Sequence, residues 1–105
     1  MKTVDPLWTT LELENLVHVL ARDSAKVVFT LHCHQRMAER GVSAIEVLRC
    51  LQRGNVLDVP IYNRKNRHFV FQMAEAAPRN IVKVVAAVDA CPGPDKLFAV
   101  TVWEV

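Results

Sequence analysis

Apolar residues return at helical spacing in the first half of the chain and alternate at strand spacing in the second. Leu13, Leu16, Val17 and Leu20 recur with the three-to-four-residue period of an amphipathic helix. Two starts are open for it. Asp5-Pro6 offers a capping residue and a proline suited to the first turn, while Thr9 and Glu12 stand in capping-box spacing. This helix is expected to end near residues 22–24. Val27, Val28 and Phe29 form a short β-prone run. Thr30 predicts the N-cap of a second helix, which runs to about Arg40 and stops at Gly41. Ser43 and Glu46 form another capping box, Ile45, Leu48 and Leu51 the apolar stripe of a third helix, and Gly54 its C-terminal glycine.

Past Gly54 the period shortens to two. Residues 56–61 predict one strand, and 68–73 another with Phe69, Phe71 and Met73 on one side. Residues 80–89 form a long β-branched run. In residues 96–105, Phe98, Val100 and Val102 alternate with Ala99, Thr101 and Trp103. Asn63-Arg64-Lys65-Asn66, Ala76-Ala77-Pro78 and Cys91-Pro92-Gly93-Pro94 read as turns. Connections this short join antiparallel strands, because a parallel crossover takes about a dozen residues or more. The expected fold is α+β: N-terminal helices packed on one face of a four-stranded antiparallel sheet.

Composition narrows the class. With 105 residues, the chain has the length of one domain, since domains usually run ~100–150 residues. A 51% hydrophobic content excludes a disordered chain. The longest apolar runs, such as residues 84–88, fall far short of the ~20 residues of a membrane helix, so no membrane partner is expected. Met1-Lys2 is followed at once by Asp5 and Pro6, with no apolar signal core. Cys33, Cys50 and Cys91 are odd in number and form no CxxC pair, which argues against a disulfide framework and for the reducing cytoplasm.

The net charge of +2 hides an uneven distribution. Residues 1–23 set Lys2 and Arg22 against Asp5, Glu12, Glu14 and Asp23. Residues 26–53 set Lys26, Arg36, Arg40, Arg49 and Arg53 against Glu39 and Glu46. The middle helices are therefore basic, and Arg64, Lys65 and Arg67 add a local cluster. Such charge usually marks a solvated surface; the functional alternative is a phosphate-binding one.

The second helix carries the most chemistry. His32, Arg36 and Arg40, four residues apart, share one helical face. Like charges at that spacing repel by a few tenths of a kcal/mol, roughly, so the pair of arginines points to an anion that they meet, with Glu39 as the bland local answer. Leu31, His34, Met37 and Ala38 fall on the other side, at the spacing of a core stripe. That assigns His34 to the core and leaves His32 with the arginines. Cys33 reads as a small buried apolar residue. Zinc sites show paired ligands with a second pair downstream. His32-Cys33-His34 has only the unpaired His18, His68, Cys50 and Cys91 to complete it, so neither a metal nor another cofactor is expected.

The run from Thr30 to Ser43, with His32, Arg36-Met37, Arg40-Gly41 and Val42-Ser43, followed by Glu46-Val47 and Gly54, resembles the signature of the bacterial domain-of-unknown-function family 4258. Thr101-Val102-Trp103 resembles the family's closing strand. The resemblance covers residues 28–105 of the single domain 1–105, and residues 1–24 look like a helix added to that family core. The family is similar to the fold group of RelE-like toxins, barnase and colicin-type ribonucleases. The resemblance thus implies metal-independent RNA cleavage, by analogy of fold.

The residues can be matched to that chemistry. Metal-free RNA cleavage uses the substrate's own 2′-hydroxyl, and needs a base, an acid and cations for the developing charge. His32 suits acid–base work, since histidine titrates near ~6.5. Arg36 and Arg40 suit phosphate. Strand alternation puts His68, Gln72, Lys83, Thr101 and Trp103 on the sheet face away from the helices, where the tryptophan either stacks on a base or packs under a partner. The expected catalytic residues are His32, Arg36 and Arg40, with Arg67, His68, Lys83, Thr101 and Trp103 binding substrate. A second expectation is a non-catalytic module of the same fold that binds RNA or protein. The exposed apolar positions Val85, Ala87 and Ala99 favour a protein interface, either a homodimer or an antitoxin-like partner.

Overall fold

Thr9, Thr30 and Ser43 each accept a backbone N–H from the helix that follows, and these three caps set the helical half of the molecule. A computed structural model of the chain describes residues 7–75 and 82–104. Helix α1 spans Thr10–Ala21 and opens on the Thr9–Glu12 capping box. The Thr9 backbone N–H, then its hydroxyl, hold the Glu12 carboxyl below the usual carboxylate range. The alternative start at Asp5-Pro6, the 76–78 turn and the first residues of the 80–89 strand lie outside the described residues. A short 3-10 turn, Ser24–Lys26, leads into strand β1, Val27–Phe29. Helix α2, Leu31–Arg40, ends at Gly41, whose φ of 65° is left-handed and suits glycine. Helix α3, Ala44–Arg53, follows.

The sheet departs from the expected four-stranded antiparallel meander. It has six strands in the order β1-β6-β5-β4-β2, with β3 also paired to β4. Strands β4 (His68–Ala74), β5 (Val82–Asp89) and β6 (Leu97–Glu104) form the antiparallel centre. Strand β1 pairs with β6 in parallel, Val27 beside Leu97 and Phe29 beside Ala99. No short connection announces that pairing, because two helices and four strands lie between the partners. The single strand expected over 56–61 is two pieces, β2 (Asn55–Val56) and β3 (Ile61–Asn63), each antiparallel to β4. Pro60 lies between them and has no N–H to give to a ladder.

The core fills one side of the sheet. Phe69, Phe71 and Met73 of β4, Val82, Val84, Ala86 and Val88 of β5, and Leu97, Ala99 and Val102 of β6 are all buried. Against them pack Leu13, Val17, Leu20 and Ala21 of α1, Cys33 and Met37 of α2, and Val47, Cys50 and Leu51 of α3. Of the expected α3 stripe only Leu51 is buried, beside Val47 and Cys50. Ile45 is 77% exposed, and Leu48 is only half-buried.

A bulge corrects the expected alternation in β6. The register shifts between Val85 and Ala86, so that Val85 faces Thr101 while Ala86 faces Ala99. Val100 is the extra residue, a β-bulge that re-aims the strand. Phe98 therefore shares a side with Thr101 and Trp103, not with Val102. The bulge also seats α2. Thr30 N–H donates to the Ala99 carbonyl at 3.1 Å, and its hydroxyl to the Val100 carbonyl at 3.0 Å. The same hydroxyl accepts from Cys33 N–H at 3.1 Å. One threonine thus caps α2 and ties it to β6.

Helix α1 is welded to the rest by polar contacts as well. Its Glu14 carboxylate accepts from Val56 N–H at 2.9 Å and from the Asn55 side chain at 3.2 Å. His18 lies 2.7 Å from the Gly54 carbonyl, and Gln52 donates to the Ala21 carbonyl at 2.9 Å. Gly54 itself has no room for a side chain, since a Cβ there would lie 2.5 Å from the Cys50 carbonyl oxygen and 3.0 Å from that of Ala74.

Candidate functional site on the open sheet face

Residues that alternate with the core positions form the opposite side of the sheet, which the cross-strand register orders into rows. Asn63, His68 and Asp89 make the first row. Ile61, Val70, Ala87, Phe98 and Val28 make the second, an apolar line across five strands. Gln72, Val85 and Thr101 make the third, and Ala74, Lys83 and Trp103 the fourth. The expected placement of His68, Gln72, Lys83, Thr101 and Trp103 on this face agrees with the structure. Thr101 is on it but only 8% exposed, too covered to meet a ligand directly.

The first row holds the best-formed acid–base pair among the described residues. His68 Nε2 stands 3.1 Å from Asp89 Oδ1. The two are direct cross-strand partners, so the sheet register fixes the approach. Phe98 stacks on the His68 ring, centroids 4.8 Å apart and planes 27° from parallel. Ala87, the cross-strand partner of Phe98, lies on β5 between the two strands, and its small side chain suits the meeting of the rings across β5. The imidazole is therefore held by a carboxylate at one nitrogen and an aromatic plane on its face. Nε2 faces Asp89, which leaves Nδ1 as the ring nitrogen free of the carboxylate.

Cations rim this end. Arg64, Lys65 and Arg67 lie exposed in the β3–β4 turn, and Lys96 lies exposed just before β6. Arg67 directly precedes His68 and holds φ 53°, the left-handed region that non-glycine residues seldom adopt. Its carbonyl accepts Ala90 N–H at 3.0 Å, which ties this turn to the end of β5. Asp95 is the acid in the same rim beyond Asp89.

The helical trio is less of a unit than its spacing suggests. His32 is exposed at the start of α2. Arg36 is paired within the helix, its Nη1 2.9 Å from Glu39 Oε2. Arg40 leaves the helix surface and lies over the Trp103 ring, 5.0 Å from its centroid. The structure thus brings Arg40, Trp103 and Lys83 to one end of the open face and Arg67, His68 and Asp89 to the other. Along β5, Lys83 and Asp89 are six residues apart, roughly 20 Å at strand rise.

The core stripe expected on α2 is also different. Leu31, His34 and Ala38 are exposed, and Cys33 and Met37 alone are buried. Helix α2 lies along β6 and buries a narrow edge. His34 instead rests near Phe29, ring centroids 5.7 Å apart. Cys33 and Cys50 are enclosed, and burial pushes both thiols up to about 11, so neither is a nucleophile. The Glu75 carboxylate adds to the rise at Cys50. Among the described residues no group of three or more His, Cys, Asp or Glu side chains is placed to hold a metal ion, and no helix is long and apolar enough to cross a membrane.

Asp89 is the residue that sequence reasoning missed. Its signal was available only through the register that sets it opposite His68. Compared with known families, residues 29–104 match the family described as "Domain of unknown function (DUF4258)". No curated protein and no solved structure matches the chain. The matched segment starts inside β1 and leaves out α1, the helix that supplies Leu13, Val17, Leu20 and Ala21 to the core.

Proposed function

As the chain belongs to the DUF4258 family, whose description assigns no activity, we propose from its own residues that it is a metal-independent endoribonuclease working on the open sheet face. The observation that carries this reading is the His68–Asp89 pair beside the basic β3–β4 turn. In the proposed reaction His68 Nδ1 takes the proton of the RNA 2′-hydroxyl. The 2′-oxygen then bonds to phosphorus as the bond from phosphorus to the 5′-oxygen breaks, and a proton from solvent or from imidazolium completes the departing 5′-hydroxyl. The products are a 2′,3′-cyclic phosphate and a 5′-hydroxyl end. Asp89 orients the ring and stabilises the imidazolium. Arg67, with Lys96 nearby in sequence to β6, supplies positive charge for the phosphorane-like state. A growth-arresting toxin restrained by a partner protein is one biological setting for such an enzyme.

This assignment moves the catalytic role from His32 to His68, because the histidine with a carboxylate partner is the one on the sheet. His32, Arg36 and Arg40 become binding residues along the neighbouring helix edge. The test is incubation of the purified chain with single-stranded RNA in excess chelator, followed by analysis of the ends. Cleavage to cyclic phosphate is expected, lost on 2′-deoxy substitution and in His68→Ala, and retained in His32→Ala. Equal cleavage by His68→Ala would overturn the assignment.

A second reading has its own observation. The apolar row Ile61–Val70–Ala87–Phe98–Val28 crosses the whole face, with Ile61 largely exposed. Such a line suits a non-catalytic module that docks a protein or a second copy there. A concentration-dependent mass abolished by Ile61→Glu, with no RNA cleavage, would favour it.

A further inference from the structure

We propose that the corner formed by Trp103, Arg40 and Lys83 is a second RNA subsite, which grips a nucleobase some 20 Å from the reacting phosphate and makes the protein favour longer single strands. The proposal rests on the RNA-cleaving reading of the same face and extends it to substrate length. Trp103 is 43% exposed although positions 97–102 of its strand are buried or half-buried. Lys83 is its direct cross-strand partner on β5. Arg40 holds its guanidinium 5.0 Å from the centre of the indole. Its Nε is buried with no hydrogen-bond partner among the described residues. Neither Arg40 nor Lys83 has a carboxylate at ion-pair distance among the described residues, whereas Arg36 and Arg49 do.

An exposed indole, a guanidinium plane and an ammonium form a platform for a base and its phosphate. Aromatic and guanidinium planes both stack bases, and the stack is tolerant of sequence. The charge of this corner is complementary to a nucleic-acid backbone, and the basic turn at the far end repeats that sign. A strand held at both ends must cross the rows between them. A stacked strand rises about 3.4 Å per nucleotide, so an octanucleotide reaches both ends and a trinucleotide reaches one.

The experiment measures fluorescence anisotropy of 2′-O-methyl octa- and trinucleotides, which cannot be cleaved, with the full chain. The wild type is expected to bind the octanucleotide about tenfold or more tightly than the trinucleotide, in line with one base stack. Trp103→Ala and Lys83→Ala should remove most of that advantage, and Trp103→Phe should keep most of it. Circular dichroism establishes that each variant is folded. Absence of a length advantage in the wild type, including absence of binding, would overturn the subsite, as would an advantage retained in both alanine variants. Cleavage of unmodified RNA, read separately in wild type and His68→Ala, tests the catalytic reading. The two can therefore fail independently.

Discussion

The two sides of one sheet use the same three strands in opposite ways. On the helix side, Phe69, Phe71 and Met73 of β4, Val82, Val84, Ala86 and Val88 of β5, and Leu97, Ala99 and Val102 of β6 are apolar and nearly sealed from solvent. On the other side, the same strands present His68, Asp89, Gln72, Lys83 and Trp103 around an apolar line. The helix side is a packing problem whose answer is close contact. The open side places ionisable groups across from each other at register positions, His68 opposite Asp89. Changes to those groups should cost less stability than changes on the helix side.

Several substitutions sharpen that contrast. The largest effect is expected from removing residues 1–24. This deletes Leu13, Val17 and Leu20, each worth about 2 kcal/mol of burial, from a domain whose total stability is on the order of 5–15 kcal/mol. The remaining segment should show no cooperative thermal transition; a sharp transition would mean that α1 is dispensable despite its place in the core. Next comes Phe69→Ala, expected to cost about 3–5 kcal/mol by chemical denaturation through loss of a sealed aromatic side chain. Gly54→Ala should cost about 1–3 kcal/mol, because the new methyl meets backbone carbonyls that cannot turn aside. On the open face, His68→Ala removes a partly covered ring stacked on Phe98 and should cost about 1 kcal/mol, well below Phe69→Ala, while RNA cleavage is lost. A stability loss comparable to that of Phe69→Ala would make His68 a structural residue.

Alkaline titration gives a smaller effect with a definite sign. The Cys33 and Cys50 thiols are raised to about 11 by burial, from an ordinary value of 9.0. The folded state therefore holds its thiol protons where the unfolded chain releases them. That contribution is complete below pH 9 and is lost as pH rises towards 11. The thermal midpoint should fall between pH 8.5 and 10.5, with a shallower fall in Cys50→Ala; an identical slope in that variant would contradict the burial account.

The parts of this fold that were legible in sequence are local. Thr9–Glu12, Thr30, Gly41 and Ser43–Glu46 are short-range signals, and the three helix starts and the end of α2 follow them. The strands β4 to β6 follow from alternation. The parallel β1–β6 pairing was hidden because its partners are 70 residues apart, Val27 with Leu97. The Val100 bulge was hidden because alternation has no term for an extra residue. The same limit applies to the site. Helical spacing grouped His32, Arg36 and Arg40, but a paired glutamate and a neighbouring tryptophan divided them. His68 was visible as an outward residue, yet its carboxylate partner could be found only once β4 and β5 were in register.

The central claim is that function resides on the open face and is centred on His68 and Asp89. It is tested most directly by nuclear magnetic resonance, following assigned backbone and histidine signals while a non-cleavable 2′-O-methyl octanucleotide is added. The account predicts that the largest shifts fall on Arg67, His68, Asp89, Lys83 and Trp103, with the outer faces of α1 and α3 around Val19 and Ile45 silent. Shifts centred on α3 or on His34, or no shifts at all, would contradict it.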